Sequence, residues 1–304
     1  MSARAAKKVK RNSPLAKAES RRFYLFLTPW IVGLVVFSGG PVLATFGLSL
    51  TDWSLLTTPH WIGLGNYQRM FSDEVLLKAI WNTLYFGGGA TLASVSSTFL
   101  IAILLNQKVR GIGIFRAIFY LPAIVAGVGT ALLWTNILHP DFGLLNFVLG
   151  KIGIQGPGWL TAPSWAIPAL IIMSVWGAGN TIVIYLAGLQ GVSVTLYEAA
   201  TIDGAGWWGR FWHVTVPMMS PVIFFNMITG FIGSLQAYTL VLIMTDGGPS
   251  NSTLLYGLYI YRQAFQYFDM GYASALAVGL FGIIMLITAV QFLFARRWVH
   301  YESK

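Results

Sequence analysis

Ionisable side chains are sparse in this sequence, with charged residues at 10%, and one stretch, Thr195–Pro217, sets both signs of charge among small residues and turn formers. There Glu198 and Asp203 stand among Ala199, Ala200, Gly204, Ala205 and Gly206, and Arg210 follows. Small side chains let another surface approach closely, and the two carboxylates offer it charge-assisted hydrogen bonds. Thr195 and Glu198 have the spacing of a capping box, which predicts a short helix starting here. Gly204 and Gly206 are expected to end or turn that helix, because glycine adopts positive φ at little cost. A second turn through Trp207–His213, then Pro217 leading into the next apolar run, completes the expected element.

No other grouping carries recognisable catalytic chemistry. A phosphate-binding loop reads G-x-x-x-x-G-K-[ST]; the one Gly-Lys pair, Gly150-Lys151, lacks the earlier glycine and is followed by Ile152. A zinc-protease HExxH helix, a Gly-x-Ser-x-Gly elbow and a Cys/His ligand set are all missing. Cysteine is absent, which excludes disulfides and thiolate catalysis. The chain is therefore expected to be no ATPase by itself and to hold no cofactor or metal.

Six long runs contain no Asp, Glu, Lys, Arg or His: Phe23–Thr51, Ala79–Gln107, Ala117–Leu138, Trp165–Tyr197, Pro221–Thr245 and Met270–Ala295. Each reaches the roughly 20 residues that a helix needs to cross a bilayer core. With 56% hydrophobic residues and a mean hydropathy of +0.68, the chain has more apolar surface than a soluble domain can hide. Lipid is the solvent such a composition demands, and helices are the form, because unpaired backbone groups are too costly there. The predicted fold class is all-α, a polytopic membrane protein of six transmembrane helices. Its expected parts are a basic tail over 1–22, a body over 23–298 and a short tail over 299–304. Within the body the spans cover about 23–51, 79–107, 117–138, 165–190, 221–245 and 271–295, with a cytoplasmic loop over 191–220. The first run is too long for a signal-peptide core and shows no clear cleavage site, so it is read as a retained span, kinked near Pro41.

The groups inside the runs are neutral: Asn82, Ser94, Ser96, Ser97, Ser174, Asn180, Thr181, Asn226, Ser234, Gln236 and Tyr238. Ion-coupled carriers generally place a titrating or pairing group along their pathway, and none occurs here. Any one of these residues is most simply a helix–helix hydrogen bond. Their concentration in the fourth and fifth runs, at Asn180, Thr181, Ser234, Gln236 and Tyr238, suits the passage of an uncharged polar solute such as a sugar.

The net charge of +9 is a matter of topology. Arg4, Lys7, Lys8, Lys10, Arg11, Lys17, Arg21 and Arg22 precede the first run; Lys108, Arg110, Arg116, Arg210, Arg296, Arg297 and Lys304 fall on the same side if six spans alternate. The opposite side holds Arg69, Lys78, Lys151 and Arg262. Positive charge marks the cytoplasmic side, which puts both termini there and removes a nucleic-acid reading. The external connections 52–78, 139–164 and 246–269 are rich in aromatics and turn residues. An interfacial aromatic belt accounts for most of these residues; a docking face for an external partner is the sharper reading. Gly87-Gly88-Gly89-Ala90 and Ala126-Gly127-Val128-Gly129 are expected to let helices approach closely.

The stretch around Glu198 resembles the EAA loop of ABC importer permeases, whose pattern is E-A-A, three residues, G, nine residues, I-x-L-P. Glu198-Ala199-Ala200, Gly204 and Val214-Thr215-Val216-Pro217 keep that spacing, with Val for Ile and Val for Leu. Over residues 22–300 the chain is similar to the carbohydrate-type permeases related to the maltose and glycerol-3-phosphate importers. Gly63-Leu64-Gly65-Asn66-Tyr67, Arg116-Ala117-Ile118-Phe119-Tyr120-Leu121-Pro122, Asp246-Gly247-Gly248-Pro249 and Ala264-Phe265 carry that likeness. The resemblance implies the type I ABC importer permease fold in a prokaryotic inner membrane. It implies a second homologous permease, two ATP-binding cassette subunits that bind ATP and Mg, and an extracytoplasmic solute-binding protein. It also implies that Glu198, Ala199, Ala200, Asp203, Gly204, Ala205, Gly206, Arg210 and Pro217 form the seat on the ATPase. Three alternatives stand beside it: a permease for glycerol-3-phosphate or another anion, a stand-alone channel, and a membrane-embedded enzyme. The last is disfavoured by the lack of an ionisable cluster.

Overall fold

The computed structural model describes residues 14–125 and 127–300. Arg4, Lys7, Lys8, Lys10, Arg11, Lys304 and Ala126 therefore lie outside the described residues. The first run belongs to one long helix, α1 (Pro14–Leu34) and α2 (Gly40–Leu48), joined by a π turn over Val35–Gly39. The Gly40 N–H donates to the Val35 carbonyl immediately before Pro41. Proline has no N–H and its ring crowds the carbonyl of the preceding turn, so the widened turn sits where the sequence predicts a kink. A two-residue ribbon follows, with β1 (Thr51–Asp52) antiparallel to β2 (His60–Trp61). The short helix α3 (Gly65–Ser72) then leads into α4 (Glu74–Leu105).

The remaining elements are α5 (Ile112–Ile124), α6 (Gly127–Ile137), α7 (Leu144–Lys151), α8 (Pro163–Trp176), α9 (Gly179–Gly191), α10 (Val194–Ile202), α11 (Trp207–Arg210), α12 (Val216–Leu235), α13 (Thr239–Met244), α14 (Tyr256–Tyr261) and α15 (Met270–Ala295). Among the described residues four helices are long and apolar enough to cross a membrane: Lys17–Leu48, Glu74–Leu105, Trp207–Leu235 and Met270–Ala295. Counting each bent pair, α5 with α6 and α8 with α9, as one span brings the number to six.

Three expected spans are thus broken. α8 and α9 meet at 50° across Gly177-Ala178, and the fifth run stops being helical at Gln236, resuming only as the short α13. Irregular backbone at membrane depth persists only where protein buries it or a cavity wets it. Small residues seat these breaks. A side chain at Gly179 would stand 2.8 Å from the Phe119 carbonyl of α5, and one at Gly257 would stand 3.2 Å from the Ala237 carbonyl.

α4 is the central post. Asp73 caps it by accepting from the Leu76 N–H at 3.0 Å, the first-turn arrangement that satisfies an orphan donor. Glycine lets neighbours close in on it: a Cβ at Gly89 would meet Ile171 Cδ1 of α8 at 2.5 Å, and one at Gly87 would meet Leu235 Cδ2 of α12 at 3.2 Å. The second predicted small-residue patch does not behave this way. A Cβ at Gly127 meets open space, one at Gly129 meets only Val125, and the buried contact of α6 is Ala131.

Two clusters form the core. One gathers Leu76, Phe86, Leu170, Tyr256, Tyr272 and Leu276; the other gathers Phe99, Tyr185, Leu189, Phe211 and Met219 at the end that carries α10. The outward faces remain greasy, with Phe37, Leu43, Leu92, Leu100 and Leu286 exposed, as a chain solvated by lipid requires. Several loop aromatics, expected as an interfacial belt, are instead core. Tyr256, Tyr259 and Trp159 are buried, because the connections 139–164 and 246–269 fold back as caps. The Asn82 amide pins the second cap by donating to the Asn251 and Leu254 carbonyls.

Candidate coupling element and solute pathway

The helix predicted at the Thr195 stretch is present as α10, but its cap differs from the expected box. The N-cap position is Ser193, whose hydroxyl pairs with the Thr195 hydroxyl at 2.7 Å. Thr195 and Glu198 each lie two residues too far into the helix for the reciprocal capping bonds. At the other end Gly204 has φ +80°. Its N–H donates to the Thr201 carbonyl at 3.0 Å and the Ala205 N–H to the Ala200 carbonyl at 2.9 Å. Those two bonds are the Schellman motif, which only a residue at ease in the left-handed region closes cheaply. Gly206 does not share the role: it is extended, with φ −68° and ψ −177°, as the cap of α11.

Pro217 does not begin the fifth helix. The helix starts earlier, at Trp207, and runs to Leu235 through a π turn over Phe211–Thr215, where the Val216 N–H donates to the Phe211 carbonyl. Pro41 and Pro217 thus each follow a π turn by two residues, for the same steric reason.

Hydrogen bonds stitch α10 to this widened turn. The Tyr197 and Thr215 hydroxyls are 3.1 Å apart, and Arg210 Nη1 donates to Thr201 Oγ1 at 3.2 Å. Thr201 donates back to the Tyr197 carbonyl at 2.7 Å. Arg210 is therefore an internal brace. Glu198 and Asp203 are exposed and make no ion pair among the described residues. Helical spacing puts Val194, Glu198 and Ile202 on one face; the two aliphatic residues are 68% and 86% exposed, so a carboxylate sits between two bare apolar side chains. Beside it a groove of 480 Å³ is lined by Tyr197, Glu198, Thr201, Ile202 and Arg210. Such a face binds by apolar cover and one charge; it offers no pair of groups positioned for acid–base work. Tyr197 was not singled out in the sequence, although it directly precedes Glu198.

The expected pathway residues part company. Asn180 and Thr181 open α9 at the break after α8, with Asn180 exposed; Gln236 and Tyr238 form the break after α12, both exposed. Ser234 lies two residues before Gln236, inside α12, and is used for packing: its hydroxyl is 3.3 Å from that of Thr91 and 3.4 Å from the Gly87 carbonyl. It is a helix–helix hydrogen bond between α12 and α4, and Gly87 leaves room for it.

Sequence reading passed over a polar knot that ties three helices together. Tyr259 and Tyr272 each donate to Asp73 Oδ2 at 2.6 Å. Arg69 pairs with Asp269 at 2.6 Å and lies 3.9 Å above the Tyr272 ring. Asp269 caps α15 through the Tyr272 N–H. Burial pushes the Asp73 carboxyl up, but the hydrogen bonds from Tyr259, Tyr272, Leu76 and Val75 outweigh it and leave its pKa below the ordinary value. The usable signal was Asp73 directly before a long apolar run, a capping position.

Broken apolar helices around neutral groups, with a braced helix projecting at one end, define a polytopic membrane protein. The chain belongs to the family of binding-protein-dependent transport system inner membrane components, whose pattern matches residues 99–300. It is 40% identical over 289 residues to the probable ABC transporter permease protein YesP of Bacillus subtilis, covering 92% of each chain. It is 36% identical to the lactose transport system permease protein LacF of Rhizobium radiobacter, covering 92% of this chain and 98% of that one. A chain of a bacterial ABC transporter involved in the import of the acidic polysaccharide alginate superposes with a TM-score of 0.80 at 26% identity, over 94% of this chain and 99% of that one.

Proposed function

We propose that this chain is one of two homologous permease subunits of an ATP-driven importer for a sugar or sugar derivative. A solute-binding protein delivers the solute at the outer face, and two ATP-binding cassette subunits grip the permeases from the cytoplasm. ATP and Mg are bound there, so this chain itself is a transport subunit and no enzyme. Both termini are cytoplasmic, as the distribution of basic residues requires.

The observation that supports this reading best is α10. It has an exposed carboxylate between bare aliphatics, a closed glycine cap, and hydrogen bonds to the π turn at the base of α12. A partner that displaces α10 pulls on α12, and α12 ends at the Gln236–Tyr238 break. A coupled protein needs differential contact in two states, and this linkage provides a route for it. Sugar as cargo is supported by the neutral groups at both breaks and by relatives named for lactose and for trehalose and maltose transport.

The test is reconstitution. The chain with its partner permease and ATPases in proteoliposomes should accumulate sugar from the binding protein only with ATP present. Uptake at the same rate by this chain alone would overturn the proposal.

A further inference from the structure

We propose that the cleft between α5 and α9 holds an anionic phospholipid, with the phosphate on Arg116 and one acyl chain along α9. The proposal needs only that the chain spans a membrane; it is independent of the cargo.

The cleft has a volume of 420 Å³ and is lined by Arg116 and Tyr120 of α5 and by Gly179, Val183, Ala187 and Gln190 of α9. Those four α9 positions fall on one helical face. From Gly179 to Gln190 the helix rises about 16 Å, roughly half the thickness of a bilayer core, which is the depth of one leaflet. At the Gly179 end the helices are in contact, since a Cβ there would stand 2.8 Å from the Phe119 carbonyl. The other end carries the charge. Arg116 Nε and Nη2 donate to the carbonyl of Leu105, the last residue of α4, at 3.2 and 2.8 Å. That carbonyl fixes the guanidinium and leaves Nη1 without an acceptor among the described residues. Lys108 and Arg110 follow Leu105 in the connection to α5, which contains no Asp or Glu. None of the three cations has a carboxylate partner among the described residues.

A fixed cation at the end of an apolar trough of leaflet depth calls for a ligand that has both an anion and a tail. The planar guanidinium matches phosphate oxygens, and basic pockets between spans are where anionic headgroups bind. Free inorganic phosphate would leave the trough bare, with Val183 49% exposed. A neutral solute would leave the cations unpaired. A zwitterionic lipid would cover the trough but bring no net charge for Lys108 and Arg110.

Native mass spectrometry tests the site on the delipidated chain, purified with whatever subunits accompany it and titrated with phosphatidylglycerol or with phosphatidylcholine. Wild type should retain phosphatidylglycerol in preference to phosphatidylcholine. Arg116→Gln should weaken that retention about tenfold, the effect of losing one hydrogen bond to a charged group. Ala187→Trp, which fills the trough, should abolish it, while Lys151→Gln in the distant α7 should leave it unchanged. Should Arg116→Gln fail to fold for want of its bond to Leu105, Ala187→Trp decides alone. Equal retention of the two lipids overturns the proposal, and so does retention by Ala187→Trp at the wild-type level. Displacement of the lipid by inorganic phosphate at equal concentration overturns it in favour of a free-anion site. Loss of an accompanying subunit from Ala187→Trp, with Arg116→Gln keeping it, overturns it in favour of a subunit contact.

Discussion

The Tyr197 hydroxyl lies 3.1 Å from the Thr215 hydroxyl, joining the projecting helix α10 to the π turn at the base of α12. Glu198 is the next residue, on the exposed side. One peptide step therefore separates a group that faces outward from a group that grips the long helix. Removing the grip should loosen coupling and leave the outer face unchanged. Tyr197→Phe and Thr215→Val should each cost about 1 kcal/mol, the net worth of one hydrogen bond, and lower solute moved per ATP hydrolysed in proteoliposomes. The double variant should be no worse than the poorer single one; strictly additive losses would show that the two hydroxyls do not act as a pair.

Gly204 has two separable reasons to be glycine. Its φ of +80° disfavours a side chain, at about 1–2 kcal/mol for most residues. Within the chain, however, a Cβ there meets nothing within 4 Å. Gly204→Asn tolerates the backbone and Gly204→Asp adds charge. If the glycine seats against an ATPase, both should lose transport with α10 intact by hydrogen exchange. Normal transport in both would leave backbone conformation as its only role.

Glu198→Lys should reverse the charge between Val194 and Ile202 and reduce recovery of the ATPase in a pull-down, while membrane insertion is unaffected. Glu198→Gln should be milder, since it retains hydrogen bonding but not charge. Undiminished recovery with Lys would rule out the ion pair.

The Asp73 knot predicts a pH dependence with a definite sign. Its carboxyl titrates below the ordinary value in the folded chain, so its stabilisation is complete above the unfolded pKa of about 4 and disappears as pH falls through the lower folded value. The melting temperature of the purified complex should drop on acidification below about pH 4. Asp73→Asn should be less stable at neutral pH and flatter in that acid range. An unchanged acid slope in the variant would assign the dependence to other carboxylates.

The fold class was legible in the residues because charge-free runs of bilayer length leave few alternatives. α15 begins at Met270, where its run begins, with Asp269 supplying the cap. The location of α10 was also legible, since Gly204 permits the backbone that closes it. Ser193 rather than Thr195 caps its start, because several hydroxyls lay in reach and spacing alone does not choose among them.

The breaks at Gly177-Ala178 and Gln236–Tyr238 were not legible. Runs of apolar residues say where a helix can cross, while its interruption depends on which neighbour covers the freed backbone, here Phe119 against Gly179 and Gly257 against Ala237. Asp73, Tyr259 and Tyr272 are far apart in the chain, and Ser234 needed Thr91 from another helix to show its part. Residue order alone determined a greasy helical body with one short helix–turn element between its fourth and fifth runs, because solvation and turn chemistry are local. Tertiary structure decided which of the described polar groups are spent on packing and which are not, because that depends on partners brought together only by folding.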